Sequence, residues 1–257
     1  MAAPGKACCS IPPIISQGYK PKGEYVTLNG LKTFLLLPDV AGPMDAKHAV
    51  LVIYDVFGFF DQTIQGADII GSSDEKRKYR VFMPDFFEGN PADISWYPPL
   101  TEEHQRKLGN FFQTQAVPQK TLEKIPGIVS KANETAAFGN FESWAILGHC
   151  WGGKIAALAV SGDSKQFKTA VQCHPAMLDP SDAKNVTVPM ALLASKDEPA
   201  EDVKAFEANL TVPHKVETFP TQIHGFMAAR SNLEDDEVRK EYERGYLMVL
   251  EFLNKYT

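Results

Sequence analysis

The hexapeptide Gly148-His149-Cys150-Trp151-Gly152-Gly153 constrains the fold of this chain more than any other stretch, because it joins an apolar strand-like run to an alanine-rich one. Trp144-Ala145-Ile146-Leu147 is short and wholly apolar, the pattern of a parallel strand covered on both faces. Lys154-Ile155-Ala156-Ala157-Leu158-Ala159-Val160 then reads as a packed helix. A chain that passes from one to the other this quickly turns sharply and presents the residue at the apex, Cys150. Small residues two before and two after the apex relieve the crowding, and Gly148 and Gly152 hold those positions. This is the G-x-S-x-G elbow with cysteine in place of serine.

A sulfur so placed meets the first unpaired N–H groups and the positive end of the helix, both of which favour an anion. The thiolate is the nucleophilic form of cysteine. The same N–H groups, starting with that of Trp151, can serve as one half of an oxyanion hole. The plainer reading is a glycine-rich turn whose cysteine is simply buried.

A thiol nucleophile needs a base, and the base needs an orienting carboxylate. The apolar run Val188 to Ala194 ends in Ser195-Lys196-Asp197-Glu198-Pro199, which puts Asp197 at a strand's carboxyl end, where open α/β sheets place their sites. Glu198 is its nearest competitor, and a cap for the following helix or turn is the alternative role for Asp197. Val216 to Pro220 alternates like a last strand and is followed by Thr221-Gln222-Ile223-His224-Gly225-Phe226, which sets His224 in a loop. The order Cys150, Asp197, His224 is nucleophile, acid, histidine, as in α/β-hydrolases.

With these residues the chain resembles the dienelactone hydrolase family, cysteine-dependent α/β-hydrolases named for carboxymethylenebutenolidase. The resemblance runs from about Tyr25 to Phe252 and rests on the hexapeptide, on Lys196-Asp197, on Ile223-His224-Gly225-Phe226 and on Val52-Ile53-Tyr54-Asp55-Val56-Phe57-Gly58. It implies an α/β-hydrolase fold in one domain, with a mostly parallel eight-stranded sheet flanked by helices. It also implies Cys150 attack on a small ester, lactone or thioester through an acyl-enzyme, with Asp197 and His224 completing a triad. The second oxyanion N–H falls on Val56. Where the family carries a glutamate that gates the thiol, this chain has Asp55, shorter by one methylene; a turn residue or a resting Cys150–His224 ion pair are the alternatives there.

In the dienelactone-cleaving enzymes, arginines after the fourth strand and shortly after the histidine hold the substrate carboxylate. Here Phe86-Phe87-Glu88-Gly89-Asn90-Pro91 follows Asp85 without an arginine, and the first arginine beyond His224 is Arg230. That pattern argues against an anionic dienelactone, and Arg230 either reaches in from its loop or lies solvated. Arg230, Phe226 and His174 are the further candidates for substrate contact, and Trp151 is expected to line the pocket. Two roles outside hydrolysis to water stay open: a ligand-binding or thiol-sensing module without turnover, and acyl transfer.

The 257 residues, 44% of them hydrophobic, suffice for a large core. Eight strand-like runs are expected at Glu24–Leu28, Leu31–Leu37, Ala49–Asp55, Arg80–Pro84, Ser143–Gly148, Thr169–Cys173, Pro189–Ser195 and Lys215–Phe219, with Asn29-Gly30 as a hairpin turn between the first two. Residues 1–20 read as an N-terminal extension to a domain over 21–257, and the aromatic stretch 86–115 as either a small cap over the site or a surface excursion with its aromatics turned inward. Asp235 to Tyr256 has the spacing of a long amphipathic helix.

A formal net charge of −6 argues against nucleic acid as a partner. Four cysteines, no apolar signal in Met1 to Ser16 and no run long enough to span a membrane point to a cytoplasmic protein with reduced thiols and a small-molecule substrate. No cofactor is expected. Cys173-His174 ends the sixth strand-like run, but two separated Cys–His pairs lack zinc-ligand spacing, so no metal is expected either. Nothing in the sequence bears on oligomeric state.

Overall fold

Asn29 and Gly30 both adopt positive φ, 49° and 79°, the geometry that a two-residue hairpin turn demands. They join β1 (Glu24–Leu28) to β2 (Leu31–Leu36) as an antiparallel pair at the edge of the sheet. The computed structural model describes residues 8, 13–15, 18–36, 46–72 and 77–257. Leu37, the end of the second expected strand, and Cys9 lie outside the described residues.

The remaining strands are β3 (His48–Ile53), β4 (Tyr79–Pro84), β5 (Ser143–His149), β6 (Thr169–Cys173), β7 (Met190–Ser195) and β8 (His214–Phe219). The eight lie in the order β1-β2-β4-β3-β5-β6-β7-β8, antiparallel at β1–β2 and β2–β4 and parallel from β4 through β8. All eight expected strands are present, with bounds displaced by a residue or two. Every residue of β5 is buried, whereas β1 and β8 are largely open to solvent, the contrast between a central strand and two edges.

Among the described residues six α-helices connect and cover the sheet: α1 (Asp61–Ser72), α2 (Glu102–Thr114), α3 (Pro118–Glu134), α4 (Trp151–Ala159), α5 (Ala200–Asn209) and α6 (Asp236–Tyr256). The last begins where the acidic run predicts, with the Asp235 carboxylate accepting from the Glu237 and Val238 N–H groups. It packs on α1 so closely that a Cβ on Gly66 would overlap Tyr246. None of these helices is long and apolar enough to cross a membrane.

After β3 the chain runs to β4 on one side, and β5 lies on the other side of β3. The carboxyl ends of β3 and β5 therefore flank the point where strand order reverses, the crevice where open α/β sheets bind ligands. Residues 86–115 hold a 3-10 turn at Ile94–Trp96 and helix α2, and their aromatics turn inward: Phe87 and Phe111 are buried at 5.1 Å from each other, and Phe87 lies 4.7 Å from Trp151.

Candidate functional site

Cys150 sits between β5 and α4 with φ 54° and ψ −113°, a conformation that costs an L-residue about 1–3 kcal/mol. The two glycines expected to admit the turn do so by contact. A Cβ on Gly148 would come within 1.9 Å of the Gly152 carbonyl oxygen, and one on Gly152 within 2.2 Å of the Ile53 oxygen. The apex is pinned by backbone bonds from the Cys150 N–H to Cys173 O at 3.0 Å and from the Ala176 N–H to Cys150 O at 2.9 Å. Strain held by so many fixed partners is typical of a functional turn.

The Trp151 N–H is the first of α4 and lies outside the intrahelical ladder. Its indole, expected beside the pocket, packs against the interior. It is fully buried, with Nε1 donating to Ala116 O at 2.8 Å and the ring against Phe87, because the first turn of α4 is covered by the chain after α2. Val56 is buried just past β3, where the Ala92 N–H donates to its carbonyl at 2.8 Å. The next two N–H groups are occupied by Asp55, Phe57 donating to Oδ1 at 2.9 Å and Gly58 to the backbone oxygen at 3.2 Å.

His224 lies in the loop after β8 and is buried. Its Nδ1 is 2.6 Å from Glu198 Oε1, so the carboxylate on the imidazole is Glu198 and not Asp197. Asp197 instead accepts the backbone N–H of His224 on Oδ2 at 2.8 Å. The turn after β7 accounts for this exchange. Lys196 N–H bonds to Gln222 O, Asp197 N–H to Ser195 Oγ, and the Ser195 N–H to Glu198 Oε2, which folds Glu198 back under the sheet end while Asp197 stays half-buried at the rim. The longer side chain reaches the ring, and the shorter one fixes the loop that carries it.

Cys150 Sγ, a His224 ring nitrogen and Cys8 Sγ all lie within 4.8 Å of one another. Because Nδ1 is taken by Glu198, Nε2 is the nitrogen left for the sulfur. Burial pushes the Cys150 thiol up, but the Cys8 hydrogen bond and the His224 charge outweigh it and hold the pKa well below the ordinary thiol value. Burial also works against a charged His224, yet the Cys150 and Glu198 partners carry it up to about 10. The two shifts agree in direction, both favouring a thiolate–imidazolium pair with Glu198 behind it.

Asp55 is wholly buried and raised to about 6, by burial first and then by the Cys150 charge, with Arg230 opposing. Its oxygens accept from Phe57 and Ala229 N–H groups, the turn role, and among the described residues it makes no hydrogen bond to the sulfur. Arg230 is not solvated. It is buried, its guanidinium 4.9 Å from the Phe57 ring centroid and 6.0 Å from that of Tyr97, with Nη2 donating to Cys8 O at 2.8 Å. Gly225, with φ 93°, makes room for it, since a Cβ there would lie 2.8 Å from Arg230 Cδ.

Phe226 packs in the core, its ring buried 4.8 Å from Phe219 and 5.8 Å from His174. His174 stands edge-on to His224 at 5.3 Å and stacks on His149 at 5.6 Å. Burial lowers His149 to about 3 and holds His174 well below its ordinary value, so neither competes with His224 for a proton. Cys173 is buried under the sheet end and pushed far up by burial, an inert thiol.

Cys8 is the site residue that the sequence did not reveal. It lies in the segment expected to be an extension, yet its Sγ is 3.4 Å from Cys150 Sγ. Two thiols and an imidazole converging this closely are also the donor set of a soft metal ion. The only local signal was the Cys8-Cys9 pair itself.

The dienelactone hydrolase family model matches residues 32–257. An uncharacterised AIM2 family protein of Schizosaccharomyces pombe is 33% identical over 243 residues, 92% of each chain. A carboxymethylenebutenolidase homolog of Homo sapiens is 26% identical over 244 residues, 91% of each chain. The crystal structure of a dienelactone hydrolase from Anabaena variabilis superposes with a TM-score of 0.64 at 12% identity, covering 92% of this chain and 98% of that one, a likeness of fold.

Proposed function

This chain belongs to the dienelactone hydrolase family, and we propose that it hydrolyses a small ester, lactone or thioester through an acyl-enzyme on Cys150. The observation that carries this reading is the buried row Cys150, His224, Glu198, with Cys150 beside the strand-order reversal and the shifts of the sulfur and the imidazole both favouring the charged pair. The reading replaces Asp197 with Glu198 as the orienting acid and gives Asp197 the task of holding the His224 backbone.

The Cys150 thiolate adds to the substrate carbonyl carbon, and the charge that forms on oxygen is received by the Val56 and Trp151 N–H groups. Collapse expels the alkoxide or thiolate, which takes the proton of the His224 imidazolium. The neutral imidazole then accepts a proton from water as that water attacks the acyl-thioester. Collapse of the second adduct releases the carboxylic acid and returns Cys150 as thiolate. Glu198 keeps Nδ1–H in place, so that Nε2 faces the chemistry throughout. Arg230 brings a cation next to the Cys150 sulfur and Asp55, and in this reading it is the group that would receive a substrate's acidic group, although the arginine spacing in the sequence argued against one. A reducing, cytoplasmic setting suits a catalytic thiol.

The test is initial-rate hydrolysis of short aryl esters, lactones and dienelactones by wild type and Cys150→Ala under reductant. Turnover that the substitution abolishes is expected. A folded wild type inactive on the whole panel, or a Cys150→Ala variant as active as wild type, would overturn the reading.

A further inference from the structure

Ester hydrolysis needs one thiol, and the structure brings two together. Cys8 and Cys150 are 142 positions apart in sequence, and their sulfurs meet at 3.4 Å in a buried space. The Cys8 backbone is held there by Arg230, whose Nη2 donates to its carbonyl. Forming a disulfide of about 2.05 Å requires the sulfurs to close by roughly 1.4 Å, the scale of a side-chain rotation and a small shift of chain. The pairing is not a general property of cysteines in this molecule, since Cys173 is equally buried and inert.

We propose that Cys8 and Cys150 form a redox modification site, in which a hydroperoxide oxidises Cys150 and Cys8 resolves the product to a Cys8–Cys150 disulfide that closes the catalytic site until a dithiol reduces it. The inference rests on reading Cys150 as the reactive thiolate of the site. Its sulfur attacks the distal oxygen of the hydroperoxide. An S–O bond forms, the O–O bond breaks, the alkoxide leaves as alcohol with the His224 proton, and Cys150 becomes a sulfenic acid, two electrons more oxidised. Cys8 then attacks that sulfur. The S–S bond forms, the S–O bond breaks, and the leaving hydroxide departs as water with the Cys8 proton. The net change is two thiols and one hydroperoxide to one disulfide, one alcohol and one water. A dithiol reverses it by exchange. Without Cys8 the sulfenic acid would meet a second hydroperoxide, take its distal oxygen as the O–O bond breaks and the alcohol leaves, and become the irreversible sulfinic acid.

The experiment treats the reduced full chain with a small excess of hydrogen peroxide, at least two equivalents per chain, in the presence of a chelator, because a soft metal on the same donors would mask both thiols. Intact mass and a non-reducing peptide map are read for wild type, Cys8→Ser, Cys9→Ser and Cys150→Ala. Wild type and Cys9→Ser are expected to lose the mass of two hydrogens, to show Cys8 joined to Cys150, and to regain full mass with dithiothreitol. Cys8→Ser is expected to gain two oxygens on Cys150 that dithiothreitol does not remove. Oxygenation of Cys150 at equal rates in wild type and Cys8→Ser with no joined peptide would overturn the proposal, as would a disulfide from Cys9. Disulfide formation in a wild type that hydrolyses no ester upholds this inference while sinking the hydrolase reading, and Cys150-dependent turnover without the disulfide does the reverse.

Discussion

Glu198 Oε1 lies 2.6 Å from His224 Nδ1, while the neighbouring Asp197 spends its carboxylate on the His224 backbone N–H. The two acids are adjacent in sequence and divide one task, orienting the imidazole and holding its loop.

Glu198→Gln should therefore be the damaging change. An amide leaves the shape but favours the wrong tautomer, a fault that costs about 10⁴ in kcat at an analogous triad. Asp197→Asn keeps an acceptor for the His224 N–H and should cost about tenfold or less, the value of one weakened hydrogen bond. Steady-state kcat on one aryl ester separates them. Equal losses in the two variants would refute the division.

The charged pair makes a pH signature. At rest it holds one proton, whereas the unfolded chain, with ordinary values of 6.5 for histidine and 9.0 for cysteine, holds two below 6.5 and none above 9.0. Its contribution to stability should rise with pH from the depressed thiol pKa to 6.5, stay level to 9.0, and fall as pH climbs through the His224 value of about 10. Denaturant titrations of wild type against His224→Gln check this, and matching pH profiles would contradict the ion pair.

Asp55 gives the opposite slope at lower pH. Its folded value of about 6 lies above the ordinary 3.8, so the folded state binds the extra proton between them and stability falls as pH rises through that window. The full swing is roughly 3 kcal/mol. Asp55→Asn should remove it. A pH profile unchanged from wild type would show that the buried carboxyl is not the source.

Arg230→Met should raise KM for a carboxylate-bearing ester about tenfold or more and leave a neutral isostere nearly unchanged, given the worth of a charge-assisted contact. The ratio of kcat/KM for the two substrates is the readout. A parallel loss on both would make Arg230 a packing residue held by Phe57, Tyr97 and the Cys8 carbonyl.

How much of this was legible follows from how local each signal is. The strands, the elbow glycines and the Asn29-Gly30 turn were readable because strand period, steric crowding and positive φ act over a few residues. His224 was readable from its place after the last strand. The choice between Asp197 and Glu198 was not, since it depends on one methylene and on bonds that the turn makes to Ser195 and Gln222. The inward turn of Trp151 depends on Ala116 and Phe87, and Arg230 is buried only because Gly225 yields space. Cys8 carried no periodic or spacing signal toward Cys150, a contact that tertiary folding alone creates.

The proposed hydrolysis passes through a covalent acyl group on Cys150. Rapid acid quench of wild type and Glu198→Gln with an activated aryl ester, followed by peptide mapping, tests it most directly. An acyl mass is expected on the Cys150 peptide that forms and decays at the turnover rate in wild type, accumulates or slows in Glu198→Gln, and is absent from Cys150→Ala. Turnover without any acyl-Cys150, or an acyl group on another residue that persists in Cys150→Ala, would contradict it.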